Sequence, residues 1–197
     1  MLSSISPLGE RARGQRWIVT CSSHLAGSTL AGGGLGALLG AAGAFVMPSA
    51  RGALLVALAL GALWGLLADR GVLGLRVPGP RRQVNENWLA RYRGWVYGGG
   101  FGLQLGLGVI TIVSATITYL AFVLALMSSS PLFGGIIGGV FGLVRALPVL
   151  TTARVRDGTT LRAVVRRLHG SLAAMQSIVT TMYVVIIASA TTMAAQS

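Results

Sequence analysis

Long apolar stretches dominate this sequence and leave few folds open to it. A helix that crosses the hydrocarbon of a bilayer needs about 20 apolar residues, within a range of roughly 17 to 25. Five stretches approach or exceed that length: 25–47, 52–68, 95–127, 132–150 and 171–193. Only 10% of the residues are charged, against roughly a quarter in a soluble domain. The sequence therefore predicts an all-α protein, a polytopic membrane helix bundle with five transmembrane helices.

The third stretch, 95–127, is too long for one span that crosses the bilayer directly. At about 1.5 Å per residue it would reach roughly 50 Å, against about 30 Å of hydrocarbon. This segment must tilt, protrude, break or fold back, and the sequence does not decide among these alternatives.

Arginine carries the positive charge, and the net charge is +12. Such a charge can indicate nucleic acid, but the arginines cluster between apolar stretches and form no single basic face. The clusters precede the first stretch, separate the second from the third, and separate the fourth from the fifth. Their members are Arg11, Arg13, Arg16; Arg70, Arg76, Arg81, Arg82, Arg91, Arg93; and Arg154, Arg156, Arg162, Arg166, Arg167. With five spans and a cytoplasmic N-terminus, all of them face the cytoplasm, as the positive-inside rule expects.

The charge pattern also predicts location and partners. We expect a multi-pass protein of the cell membrane with its N-terminus in the cytoplasm and its C-terminus outside, in contact with anionic lipids on the cytoplasmic side. We expect no nucleic-acid partner. Arginine without lysine, beside abundant alanine and glycine, is typical of a GC-rich bacterial genome.

Two connections between apolar stretches have amphipathic character. Residues 1–24 form a basic cytoplasmic segment, and 25–197 form a single transmembrane domain that includes cytoplasmic helices at about 82–93 and 157–169. In the second of these helices apolar residues recur at helical spacing behind a capping residue, Asp157 or Thr159. These apolar residues are Leu161, Val164, Val165 and Leu168. Both helices are expected to lie at the lipid headgroups.

A glycine-rich segment occurs in two similar copies, "GGGLGALLG" at 32–40 and "GGGFGLQLG" at 98–106. No soluble strand precedes either copy, which argues against a phosphate-binding loop, and large apolar residues interleave the glycines, which argues against a linker. Glycines four residues apart form one ridge of a helix and allow close approach of a second backbone. The predicted packing glycines are Gly32, Gly36, Gly40, Gly98, Gly102, Gly106, Gly134, Gly138 and Gly142.

The repeat extends beyond these phrases. Each unit comprises a hairpin of two spans followed by a basic interfacial helix, and a fifth span closes the chain. Two spans per unit give the copies the same orientation, which is typical of the parallel class of transporter repeat but also occurs in proteins that transport nothing.

Polar residues within the apolar stretches are the candidate site. Gln104, Thr111 and Thr118 are seven residues apart and would share a face of a continuous helix. They could line a path for a small solute, or they could hydrogen-bond to other helices or to their own backbone. Arg145 lies inside the fourth stretch, where a charge costs several kcal/mol unless it pairs, snorkels or faces water. Both an anion path and a snorkelling anchor are consistent with it.

The remaining polar residues offer little chemistry. We interpret Asp69 and Arg70 as an interfacial pair, and His24 and His169 as surface histidines. Cys21 is the only cysteine, which excludes an intrachain disulfide and a cysteine-based zinc site. Four acidic residues in total leave few general bases. We therefore expect no catalytic residues, no metal, no cofactor and no enzymatic activity.

The second half, "GFGLQLGLGVIT" through "GGIIGGVFGLVRALPVL", resembles the transmembrane domains of the CcdA and DsbD families, which belong with LysE-type exporters. In those families a glycine-rich approach leads to a proline and cysteine motif that breaks the helix. Val109, Ile110 and Thr111 stand in that region here, and "RALPV" resembles a later family phrase. Without the cysteines, the resemblance implies a relative that moves a small solute and carries out no thiol chemistry.

Two functions follow from these observations. The first is a protein that moves, or helps to move, a small solute along a path lined by the third stretch. The second is a non-catalytic subunit of a larger membrane assembly, packed through its glycine ridges against other membrane subunits or further copies of itself. The repeat and the overlong third stretch favour the first, whereas small size and scarce buried charge favour the second.

Overall fold

The computed structural model of the protein describes residues 5–71, 89, 91–108, 117–155, 157–170 and 172–194. All regular elements in these ranges are helical. They are α1 (Pro7–Ala12), α2 (Trp17–Asp69), α3 (Gly94–Leu107), α4 (Ile117–Met127), α5 (Pro131–Ala146), a 3₁₀ helix (Leu147–Thr152), α6 (Gly158–Gly170) and α7 (Leu172–Ala194). The prediction of an all-α membrane helix bundle is confirmed.

Helix α2 contains both of the first two predicted spans. It runs without interruption through the position of Pro48, where the sequence suggested a turn between 25–47 and 52–68. Its contacts with α4 nevertheless indicate that its axis changes direction. Gly43 lies against the Leu126 carbonyl and Gly61 against the Leu120 side chain. Eighteen residues of straight helix would separate those glycines by about 27 Å, whereas six residues of α4 span only about 9 Å.

The third predicted stretch is not one helix. Helix α3 ends at Gly108, whose φ of 69° places it in the left-handed region that glycine adopts without strain. Helix α4 begins at Ile117, and 109–116 lie outside the described residues. Apart from this third stretch, the described residues contain four segments long and apolar enough to cross a membrane. These are Trp17–Val46, Gly52–Asp69, Pro131–Thr152 and Gln176–Met193.

The predicted packing glycines lie where helices meet, and the N-terminal half of α2 is central to these contacts. A Cβ atom on Gly98, Gly102 or Gly106 would meet the backbone of α2 at Thr20, His24 or Ser28, so α3 runs parallel to this half of α2. Gly134, Gly138 and Gly142 of α5 similarly face Gly36, Gly32 and Ser28, in antiparallel order, and Gly40 faces Ser130. The two copies of the repeated phrase therefore do not pack on each other. Each packs on a different neighbour.

The C-terminal half of α2 packs against α4 and α7 through larger apolar side chains. Leu55, Leu58, Ala62, Leu120, Tyr183 and Ala190 form one buried cluster. At the end of α2 the Tyr183 hydroxyl donates to Asp69 Oδ2 over 2.6 Å, and Arg70 donates to the Thr180 hydroxyl over 3.3 Å. Asp69 and Arg70 thus each bond to α7, which corrects their interpretation as a pair.

Helix α6 begins with the capping residue that the sequence suggested. Asp157 Oδ1 accepts hydrogen bonds from the Thr160 backbone N–H over 2.7 Å and from the Thr159 hydroxyl over 2.6 Å. The Thr159 hydroxyl and the Thr160 N–H lower the pKa of the Asp157 carboxyl to about 2, so the cap remains charged at neutral pH. The other amphipathic helix, predicted at about 82–93, falls mostly outside the described residues.

Candidate functional site

A buried carboxylate anchors the N-terminal helix to the bundle. Glu10 of α1 is completely buried. Its Oε1 accepts from Arg13 Nη2 over 2.7 Å, and its Oε2 accepts from the Thr20 hydroxyl over 2.8 Å. The Tyr97 hydroxyl of α3 lies 2.7 Å from Oε1 and 2.6 Å from Oε2. We call Glu10, Arg13, Thr20 and Tyr97 the Glu10 cluster.

The absence of a side chain at Gly94 allows the start of α3 to pack closely against the Glu10 cluster. A Cβ atom on Gly94 would overlap the Thr20 hydroxyl and would come within 3.4 Å of Glu10 Oε2. The Gly94 backbone N–H, at the first turn of α3, donates to the side-chain carbonyl of Gln15 over 3.0 Å. The chain segment before α2 and the start of α3 are thereby held at the same end of the bundle.

His24 is buried, which corrects its interpretation as a surface histidine. Only 4% of the residue is exposed, because Gly102 of α3 packs directly over the backbone of α2 at this position. The ring interacts with the backbone carbonyl of Gly98. Its Nδ1 atom is buried and has no hydrogen-bond partner among the described residues. The side chain of His169 lies outside the described residues.

Arg145 lies near the C-terminal end of α5, where its side chain is partly buried. The guanidinium carbon sits 5.4 Å from the ring centroid of Phe141, a cation–π arrangement. Nη1 lies 3.4 Å from the point that a Cβ atom on Gly108 would occupy. Like His24 Nδ1, this nitrogen is buried without a hydrogen-bond partner in the described part of the chain.

One cavity joins these two polar residues. It has a volume of about 170 Å³ and lies where α2, α3 and α5 converge. The lining residues are Ile5, His24, Leu105, Arg145, Ala146, Pro148 and Val149. Arg145 is the only charged residue among the described residues that line the cavity. We call this space the His24–Arg145 cavity.

The predicted path residues are only partly brought together. Thr118 is buried, and its Cγ2 atom lies 3.1 Å from the Cβ position of Gly108, which also adjoins Arg145. Gln104 is partly exposed on α3, and Thr111 lies outside the described residues. Because α3 ends at Gly108, these three residues do not share the face of one continuous helix. Their proposed role as a path remains a prediction.

Sequence reasoning missed the Glu10 cluster and the burial of His24. One signal was available for Glu10, since it is an isolated acid beside Arg11, Arg13 and Arg16. For His24 the available signal was spacing, since Thr20, His24 and Ser28 are four residues apart, as are the glycines of α3. All three face those glycines in the structure.

The four apolar spans, the glycine-lined helix contacts and the sparse buried charge define a multi-pass α-helical membrane protein. Three known proteins are similar to this chain, and each is named methylamine utilization protein MauF. That of Paracoccus versutus is 37% identical over 160 residues, which cover 75% of this chain and 56% of the relative. That of Paracoccus denitrificans is 36% identical over 158 residues, which cover 77% of this chain and 56% of the relative. That of Methylorubrum extorquens is 32% identical over 160 residues, which cover 78% of this chain and 49% of the relative.

The chain spans about half the length of the curated relatives it matches. No family model matches it. No solved structure matches it either.

Proposed function

We propose that this chain is an accessory membrane protein of methylamine utilization, which supports the process without catalysing a reaction in it. The observation that carries the proposal is the similarity to three proteins named for methylamine utilization, over more than 70% of this chain in each case. The close glycine packing supports a compact membrane scaffold, because helices in backbone contact leave little room for a wide channel between them.

The charges of the chain argue against a path for methylamine itself. Aliphatic amines have a pKa near that of lysine, about 10.4, so methylamine is a cation at neutral pH. A path for a cation needs carboxylates or other acceptors to replace its water. The described carboxylates are engaged elsewhere: Glu10 in its cluster, Asp69 with Tyr183, and Asp157 as a helix cap. The net charge of +12 would also repel a cation.

Deleting the coding sequence from its own host tests this proposal. We expect the deletion strain to lose growth on methylamine as the sole carbon and energy source and to grow normally on succinate. Initial uptake of radiolabelled methylamine should be unchanged, because the protein is proposed to take no part in carrying methylamine across the membrane. Growth should return when the intact chain is supplied from a plasmid.

Two outcomes would overturn the accessory role. Unimpaired growth of the deletion strain on methylamine would remove the protein from methylamine utilization. Loss of methylamine uptake, measured before growth stops, would instead identify the chain as part of the entry path for the amine.

The structure also supports the proposed membrane orientation. The Thr152 hydroxyl donates to the Ile5 carbonyl over 3.1 Å, and Gly94 bonds to Gln15 over 3.0 Å. These contacts bring the arginines before α2, Arg91 and Arg93 before α3, and Arg154 after α5 to one end of the bundle. We propose that this end faces the cytoplasm and its anionic lipids, as the positive-inside rule expects.

Reporter fusions check this orientation. Alkaline phosphatase, which is active only outside the cytoplasm, should be active when fused after residue 194 and inactive when fused after Arg154. Green fluorescent protein, used as the matched control, should give the opposite pattern. A phosphatase signal at Arg154 would contradict the proposed orientation, and a fluorescent C-terminus would contradict an odd number of spans.

Movement of a small solute is the second candidate function. Helix α3 ends at Gly108 beside Thr118 and Arg145, and irregular backbone at membrane depth commonly borders a cavity. The resemblance to the CcdA and DsbD transmembrane domains points the same way, because their glycine-rich helix is also interrupted in this region. Given the arginine, the solute of such a path would be an anion.

A further inference from the structure

The first segment that the structure describes, residues 5–12, lies on the surface of the bundle. Leu8 and Arg11 are exposed on its outer side, whereas Ile5 and Glu10 are no more than 1% exposed. Helix α1 makes up most of the segment and has only six residues. A helix this short is not stable in water on its own. The segment therefore keeps its position only through contacts with the rest of the protein.

An apolar surface lies beneath this segment. Ile5 belongs to a buried cluster with Cys21, Tyr97, Phe101 and Val149. Cys21 is only 4% exposed, and it is the only cysteine of the chain. Ile5 also lines the His24–Arg145 cavity. Movement of the segment away from the bundle would therefore uncover this cluster and remove one wall of the cavity.

Hydrogen bonds fix the segment at two points. The Thr152 hydroxyl of the 3₁₀ helix donates to the Ile5 carbonyl over 3.1 Å. Glu10 accepts from the Thr20 hydroxyl of α2 over 2.8 Å and from the Tyr97 hydroxyl of α3 over 2.7 Å. Each such bond contributes modestly to stability, because both partners bond to water when they separate. Segments that bury little apolar surface open locally at a lower free energy than the whole protein unfolds.

Gly14 provides a hinge between this segment and α2. Its φ of 65° lies in the left-handed region, which glycine adopts without strain. In the described part of the chain, nothing lies within 4 Å of the point that a Cβ atom on Gly14 would occupy. The residue therefore matters for the direction of the backbone and not for packing. Rotation about Gly14 would move residues 5–12 without displacing a side chain beside the hinge.

We infer that residues 5–12 form a lid, which turns about Gly14 and opens while the rest of the bundle stays folded. We call this segment the N-terminal lid. When closed, it covers the cluster of Cys21 and Val149 and completes one wall of the His24–Arg145 cavity. When open, it exposes both. The lid thus controls access to this apolar surface, a property that goes beyond the proposed accessory role and does not depend on it.

Cys21 is a native reporter of lid opening. We expect N-ethylmaleimide, followed by intact mass, to label Cys21 of the protein in neutral detergent at least about tenfold more slowly than in the unfolded protein. Gly14→Ala should accelerate labelling about fivefold to thirtyfold, because only the closed lid requires the left-handed conformation that strains alanine. Thr152→Val should accelerate it at least about fivefold, since the Ile5 carbonyl loses its donor. Arg11→Gln, at an exposed position of the lid, should leave the rate unchanged.

A second cysteine distinguishes lid opening from unfolding of the whole bundle. Ala62 is completely buried in the cluster between the C-terminal half of α2, α4 and α7. Ala62→Cys in a Cys21→Ala background therefore reports global unfolding. Urea should accelerate its labelling steeply, because global unfolding exposes a large surface. Labelling of Cys21 in the wild-type protein should respond only weakly to low urea, because opening of the lid exposes little surface.

Three results would overturn the inference. Labelling of wild-type Cys21 as fast as in the unfolded protein would show that the lid does not cover it. Equal urea dependence of Cys21 and of Ala62→Cys would show that only global unfolding exposes Cys21. An unchanged rate in Gly14→Ala would remove the hinge. None of these results bears on the methylamine proposal, which the growth experiment tests separately.

Discussion

Replacing Gly36 by alanine is expected to destabilise the bundle by about 1 to 3 kcal/mol, although alanine favours a helix more than glycine does. A Cβ atom at this position would overlap the Gly134 carbonyl oxygen and would lie 3.0 Å from the Cα atom of Gly138. Both atoms belong to the backbone of α5, which cannot move aside as a flexible side chain can. The unfolding temperature of the detergent-solubilised protein measures the effect.

Gly34 provides a matched control two residues away in the same helix. A Cβ atom there meets nothing within 4 Å, and the residue is exposed. Gly34→Ala should therefore leave the protein unchanged or stabilise it by up to about 1 kcal/mol, through helix propensity alone. Equal unfolding temperatures for Gly34→Ala and Gly36→Ala would refute the close contact between α2 and α5.

Replacing Glu10 by glutamine is expected to cost about 1.5 to 3 kcal/mol, the range for hydrogen bonds to a charged group. The substitution preserves the shape of the side chain. It removes the charge that pairs with Arg13, and it replaces an oxygen that accepts hydrogen bonds with an amide group that donates them. The unfolding temperature should fall, and protease should cleave the segment before Trp17 more rapidly, because the cluster ties α1 to α2 and α3.

Two further variants separate a role of the cluster from a general loss of charge. Arg11→Gln, at an exposed position one residue away, should change stability by less than about 0.5 kcal/mol. Tyr97→Phe removes one donor to Glu10, and in combination with Glu10→Gln it should cost less than the sum of the two single changes. Strict additivity would contradict a shared hydrogen-bond network.

The membrane class and the packing glycines were predictable because both depend on local pattern. Apolar length decides whether a helix can cross the bilayer, and glycines at a spacing of four define a ridge in any helix. The helix that packs against each glycine ridge was not predictable. The resemblance between 32–40 and 98–106 gave no indication that the first phrase packs on α5 while the second packs on the start of α2.

Helix ends were harder to predict for a physical reason. The chain has 29 glycines, and a glycine inside a transmembrane helix looks the same in sequence as one that ends it. Gly108 ends α3 by adopting a positive φ, whereas Gly106, two residues earlier, packs within the helix. Pro48 presents the opposite case, because α2 continues through a residue that usually interrupts a helix.

The candidate site depended on tertiary contacts that no local pattern contains. Glu10 lies in an arginine-rich segment that is typical of a solvated cytoplasmic surface. It is buried only because α1 folds back against Thr20 and Tyr97. His24 is buried because the glycines of α3 leave space for its backbone to approach closely. Arg145 alone could be identified from sequence, since a charge inside an apolar stretch is conspicuous without knowledge of its neighbours.

The position of Ser28 has a consequence for how the protein assembles. Gly106 of α3 and Gly142 of α5 both face the Ser28 carbonyl, and the Ser28 hydroxyl donates to the Gly142 carbonyl over 2.6 Å. Synthesis starts at the N-terminus, so the ribosome delivers this part of α2 to the membrane before either partner exists. During insertion, helix α2 therefore exposes its glycine faces to lipid until α3 and α5 have been synthesised and cover them.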